Sequence, residues 1–339
     1  VNMTIEVNND VRSRNYRWNI FVLIFALFIA GCSGNNKNTE ERRENHAGAQ
    51  VSPVGQGVPQ EKDNLLEQYR QTVQNAKEPF EIVSFLNENM SKAGQERADT
   101  MIRELNAYYN NDLERTQDAF FEKNVQEVLL QQQWPITASN AAEIQDAAVK
   151  QLVITKLMGG YKLIMVEGSI YPIIDFELQK VYKNYVSQQM NDYIFLRAVE
   201  SNEVSAKDAG LIITWDKLAN RAVLSETYIK TYPNSAERPE IEQLYLNSYL
   251  SMYIYGLNNT PIFDMETYRL LSEVKTSYQK LVKEHPETVT AKIVSQFLDV
   301  LATTDEQVYN RINGQQMDIP AVKQFHERFQ AKAEELLGG

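Results

Sequence analysis

Two carboxylates flanking an aromatic pair carry the clearest chemical potential in this chain. They sit in YKLIMVEGSIYPIID, residues 161–175, where Glu167 and Asp175 accompany Tyr161 and Tyr171. A pair of carboxylates can act as general acid and base on a glycosidic bond. Carboxylates beside tyrosine rings can also hold a glycan or a cationic group. The architectural alternative is that the stretch only caps a helical stack. Asp175 stands directly before an apolar-periodic run opening at Phe176, where a helix N-cap belongs. A second stretch, GLNNTPIFD at 256–264, joins the turn formers Asn258, Asn259, Thr260 and Pro261 to Asp264, a capping residue for the helix that follows. Placed side by side, the two turns would line one cleft.

Other catalytic signatures are missing. The chain has three histidines, His46, His285 and His326, and none is paired at metal-ligand spacing. It has no HExxH, no glycine-rich phosphate loop and no GxSxG elbow. The expectation is therefore no metal and no cofactor. His326 precedes Glu327 and Arg328 and is expected on a solvated face.

The elements that must position these residues read as helices. Apolar residues recur at helical spacing over 80–92, about 95–109, 112–132, 140–158, 176–198, 265–285 and 321–337. Residues 241–257 are apolar almost all round, the pattern of a helix enclosed by neighbours. Gly159-Gly160 should stop the helix before it. Only 161–175 breaks the period. Its β-favouring residues around Gly168-Ser169 predict a short hairpin, with Pro172 confined to an edge. The eighteen tyrosines fall mostly at helical spacing, which predicts core or groove-lining positions.

ETYIKTYPNSAE (226–237) and TSYQKLVKEHPETVTA (276–291) share one pattern: an aromatic helix end, a Tyr-Pro or His-Pro, then a polar restart. Their prolines lie 53 residues apart. This resembles the turns between helical hairpins of tetratricopeptide-like repeats, although the period exceeds the usual 34. The predicted fold is all-α: stacked helical hairpins with one short β-hairpin near 161–174.

Location is read from the only cysteine. Residues 18–30, WNIFVLIFALFIA, follow Arg12, Arg14 and Arg17 and lead into Gly31-Cys32. A run this short suits a secretory signal rather than a membrane-spanning helix, which takes about 20 residues. Leu27-Phe28-Ile29-Ala30-Gly31-Cys32 resembles the lipobox of bacterial lipoproteins. That resemblance implies a signal peptide at 1–31, cleavage before Cys32, and a diacylglycerol and palmitate anchor on Cys32. Residues 32–62 then form a polar tether, rich in Asn, Gln, Gly and Pro, whose composition predicts disorder. The thirty residues after Cys32 span about 30 Å. The body divides in expectation into a helical region at 63–160 and a helical-hairpin region at 161–339.

The chain carries a net charge of −11, and its first 32 residues contribute +1. The remainder is strongly acidic, which excludes the basic stripe that nucleic acid requires. The combined expectation is an extracytoplasmic lipoprotein, held on a bacterial membrane through Cys32, that binds or scaffolds an envelope protein or peptide. A glycan-acting envelope enzyme using Glu167 and Asp175 is the alternative. A transporter's solute-binding lipoprotein is a third class, and it calls for two α/β lobes with many strands.

Overall fold

A computed structural model describes residues 59–338. Helix occupies 63% of them, and every sheet among them is a two-stranded antiparallel hairpin. The all-α expectation holds, and the two α/β lobes of a solute-binding protein are absent from the described residues.

The helices are α1 (Pro59–Asn75), α2 (Pro79–Ala93), α3 (Gln95–Phe120), α4 (Val125–Leu130) and α5 (Ala147–Met158). The hairpin β1 (Tyr161–Val166) and β2 (Ser169–Ile174) follows, then α6 (Phe176–Gln179) and α7 (Gln188–Asn202). A second hairpin, β3 (Ala206–Lys207) and β4 (Gly210–Leu211), leads into α8 (Trp215–Thr231). Helix α9 (Arg238–Gln243) continues through a π-helical segment, Leu244–Leu250, into α10 (Ser251–Tyr255). The third hairpin is β5 (Gly256–Leu257) and β6 (Thr260–Pro261). The chain ends with α11 (Ser272–Glu284), α12 (Val289–Ala302), the hairpin β7 (Tyr309–Ile312) and β8 (Gln315–Asp318), α13 (Pro320–His326) and α14 (Phe329–Leu337).

Local chemistry explains most boundaries. Asp146 caps α5 by accepting from the backbone N–H groups of Ala148 and Val149, and Gly160 leaves the helix at φ +83°. Thr214 and Thr288 cap α8 and α12. Several expected helices differ from those found: the one expected over 140–158 opens only at Ala147, where Asp146 caps it, and the one over 112–132 breaks after Phe120. The Asn110-Asn111 pair does not interrupt α3, because both residues are exposed while Tyr109, Asp112 and Leu113 stay buried. The run at 176–198 divides, since Ser187 accepts from Met190 N–H and starts α7 afresh. The helix expected from 265 begins only at Ser272. Asp264 instead folds the chain back by accepting from Glu266 and Thr267 N–H. The last helix breaks at Glu327-Arg328. The first four residues of α1 also belong to the stretch expected to be tether; the rest of that stretch, with Cys32 and the signal, lies outside the described residues.

The apolar faces build two cores. The larger draws on α1–α3 together with α7, α8, the π-helical segment and α10–α14. It therefore runs across the expected 160/161 boundary. The smaller is made within residues 120–170, by Phe120, Val125, Leu129, Ile136, Val153 and their neighbours. Hairpin β1–β2 straddles both. Tyr161 and Ile174 face each other in the larger core, and Leu163 and Ile170 enter the smaller.

The tyrosines are largely core. Tyr69, Tyr109, Tyr245, Tyr249 and Tyr253 are fully buried, and each hydroxyl has a partner: Met101 O, Gly159 O, Thr290, Glu200 and Ser277. A buried phenol needs such a partner, so these rings act as apolar wedges with a fixed polar end.

Candidate functional site

The structure does not gather the four residues singled out in 161–175. Tyr161 is buried, edge-on to Tyr109 at 5.4 Å, and donates to Asp112 Oδ2 at 3.0 Å. Burial, reinforced by the Asp112 charge, pushes its phenol far above the usual range. Tyr171 pairs with Ile164, three register steps from the Tyr161–Ile174 pair; an odd step puts it on the opposite face of the hairpin, where it packs on Phe121 at 4.9 Å. Asp175 caps α6 by accepting from Glu177 N–H and binds Lys162 at 2.9 Å. Glu167 is exposed at the other end, in the turn.

Glu167 and Asp175 are thus separated by the full length of β2, roughly 20 Å at about 3.3 Å per residue. Two-carboxylate glycoside hydrolysis works at about 5–9.5 Å. The paired acid–base chemistry expected of these two residues is therefore corrected by the register. The two carboxylates are near in sequence but lie at opposite ends of the hairpin, Glu167 at its turn and Asp175 past its open end.

What does converge is a row of turn tips. Glu167 (φ +49°) and Gly168 (φ +73°) turn the first hairpin, one residue earlier than expected. Asp208 and Ala209, also at positive φ, turn the second. Glu167 N–H donates to Asp208 Oδ1 at 2.8 Å, which joins the first tip to the second. Asn259 N–H donates to Ala209 O at 2.9 Å, and its side-chain amide donates to Asp208 O at 2.6 Å. Thr260 Oγ1 accepts from Leu211 N–H at 3.0 Å. The three tips from β1–β2, β3–β4 and β5–β6 form one continuous edge, with Glu167, Asp208, Asn258 and Asn259 exposed along it. The expected proximity of the 161–175 and 256–264 turns holds, but through a third turn between them. Its Asp208-Ala209-Gly210 is a turn signal in the sequence that the helical periodicity around it obscured.

Buried and half-buried carboxylates are engaged in ties between helices. Lys156, 4% exposed at its side chain, lies 2.5 Å from Glu78 and 3.8 Å from Asp112. Glu200 accepts from Arg221 at 2.6 Å and from Tyr249 at 2.9 Å. Glu240 accepts from Arg197 and from Tyr193, and Glu237 from Arg103. Among the described residues no group of His, Cys, Asp or Glu is arranged to hold a metal ion. A shallow depression of about 380 Å³ lies between α1 and α3, lined by Arg70, Val73, Gln74, Glu104, Tyr108 and Asn111. His326 is not on a solvated face. It packs among Tyr255, Phe297 and Phe325.

No family model, no curated protein and no solved structure matches this chain.

Proposed function

We propose that this chain is a membrane-anchored, extracytoplasmic lipoprotein whose helical body binds or scaffolds a protein or peptide of the cell envelope. The observation that carries the reading is the signal at 12–32, an arginine-flanked apolar run ending in Ala30-Gly31-Cys32. The body supports it. Its buried acids serve packing, and its exposed turn tips are held as a row on a helical body, the usual placement for recognition loops. A dual acyl anchor keeps such a module on the membrane far more firmly than one chain does.

Labelling cells with a palmitate analogue tests the anchor. Wild type should take up label and sediment with membranes, and Cys32→Ala should do neither. Unlabelled wild type would refute lipidation. A photoreactive residue at position 259 tests the binding role, with a discrete envelope-protein adduct expected from the anchored protein. If instead the chain hydrolysed glycans and Glu167→Gln abolished that activity without unfolding it, the enzyme reading would replace this one.

A further inference from the structure

His326 closes α13, and after two intervening residues α14 begins at Phe329. Its imidazole lies 4.5 Å from the Tyr255 ring and 5.3 Å from Phe297, centroid to centroid. Phe325, on its other side, stacks on Phe297 at 4.8 Å and on Phe329 at 6.0 Å. Tyr255 Oη donates to the backbone carbonyl of His326 at 2.7 Å. One junction therefore pins the last two helices to α10 and α12. The imidazole is the polar group of this junction; the residue is half-buried, and its Nε2 is buried without a hydrogen-bond partner.

We propose that His326 is an acid-sensitive latch, which holds α13–α14 on the body while neutral and loosens their hold when protonated. The neutral ring packs as an aromatic surface. An imidazolium is a charge with two N–H donors, and the Nε2 donor would face no acceptor among these rings. A buried unpaired charge is costly, so protonation favours any state that exposes the ring to water. Because Phe325 and Phe329 stack in the same cluster, the ring cannot leave without loosening both helices. Val322, Phe329, Ala333 and Leu337 would then be uncovered from the core.

The surrounding charges do not offset this cost. Asp318 on β8 favours the protonated form, but it is held by Lys323 at 3.1 Å. Helix α10 offers the Tyr255 phenol, itself near the Tyr309 phenol of β7, and α12 the Phe297 ring, while Glu327 and Arg328 follow in the chain. Burial lowers the imidazole pKa from 6.5 to about 4. A lowered folded-state value means that the latch is complete above pH 6.5 and weakens as pH falls toward 4. Between pH 7 and pH 5 the open state gains about 20-fold.

Hydrogen exchange of the whole protein at both pH values, corrected for intrinsic exchange, reads the latch directly. Protection in α13–α14 should fall about 20-fold in wild type, with α3 nearly unchanged. It should stay constant in His326→Phe and in His326→Gln, which cannot take up the proton. An equal loss in all three proteins, or a loss shared by α3, would overturn the proposal. NMR titration of the three histidines provides a second measurement that needs no variant. A His326 resonance titrating at or above the ordinary 6.5 would also overturn it.

Discussion

The docking of one helical hairpin on the next should depend on a single carboxylate, Glu226. It lies on α8 and is 2% exposed. Its Oε1 accepts from Val289 N–H and Lys230 Nζ, both at 2.6 Å. Its Oε2 accepts from Thr290 N–H at 2.9 Å and Thr290 Oγ1 at 2.8 Å. Val289 and Thr290 open α12, so Glu226 satisfies two of the N–H groups that any helix start leaves unpaired. It also sets a negative charge at the positive end of the α12 dipole. A hydrogen bond to a charged group is worth about 1.5–3 kcal/mol, and the two backbone donors are buried. Allowing for relaxation and water entry, Glu226→Ala should cost about 4 kcal/mol. Glu226→Gln should cost about 2 kcal/mol, because either amide orientation turns an N–H₂ toward a backbone N–H. At roughly 2–4 °C per kcal/mol for a large domain, the alanine variant should melt about 10 °C below wild type. Urea unfolding followed by circular dichroism measures both variants, and hydrogen exchange locates the loss in the first turn of α12. If both variants fell within about 0.5 kcal/mol of wild type, the carboxylate would not be the tie between hairpins.

Three further substitutions test other parts of the structure. Burial pushes the Asp112 carboxyl up, but hydrogen bonds from Thr116 and Arg115 and the Lys156 charge together hold it below the usual range. A lowered folded-state value gives stability that is present above about pH 4 and lost on further acidification. Asp112→Asn should therefore be less stable than wild type at pH 7 by about 2 kcal/mol, and unfolding curves should show the difference closing below about pH 4. Gly256 sits at φ +74°, and a Cβ there would lie 2.7 Å from Ile262 N and 2.8 Å from Thr260 O. Gly256→Ala should cost about 2–3 kcal/mol through strain and contact, whereas Gly168→Ala, with open space around it, should cost only the strain of its φ.

The fold class was legible because helical periodicity is strong wherever one face is buried. Val274, Tyr278 and Leu281 mark α11, and Tyr245, Tyr249 and Tyr253 mark the enclosed segment. The capping role of Asp175 was legible too, since it rests on one residue and the run beside it. Two kinds of feature were not. The three short hairpins beyond β1–β2 have strands of two to four residues, too short for an alternation to register. The candidate site was half legible. The turns at Glu167 and Asn259 were marked by composition, but their meeting at Asp208 is a tertiary fact carried by hydrogen bonds across some 40 to 50 residues. His326 misled because Glu327 and Arg328 are exposed, while its half-buried ring packs among Tyr255, Phe297 and Phe325.

The buried charges explain how an all-α stack of this kind finds one arrangement. Apolar faces determine which sides of two helices meet, but they tolerate sliding, because leucine and tyrosine pack acceptably in more than one register. A buried carboxylate does not, since it is stabilised only where its donors stand. Arg221–Glu200 ties α8 to α7, Arg197–Glu240 ties α7 to α9, Arg103 on α3 reaches Glu237 just before α9, and Glu226 ties α8 to α12. Removing one partner of such a pair strands the other and typically costs about 3–5 kcal/mol. We read the pairs as pins of hairpin register, and the Glu226 series tests that reading at one of them. On this reading the acids inside the molecule are committed to architecture. Recognition is then left to the exposed edge where Glu167, Asp208 and Asn259 meet.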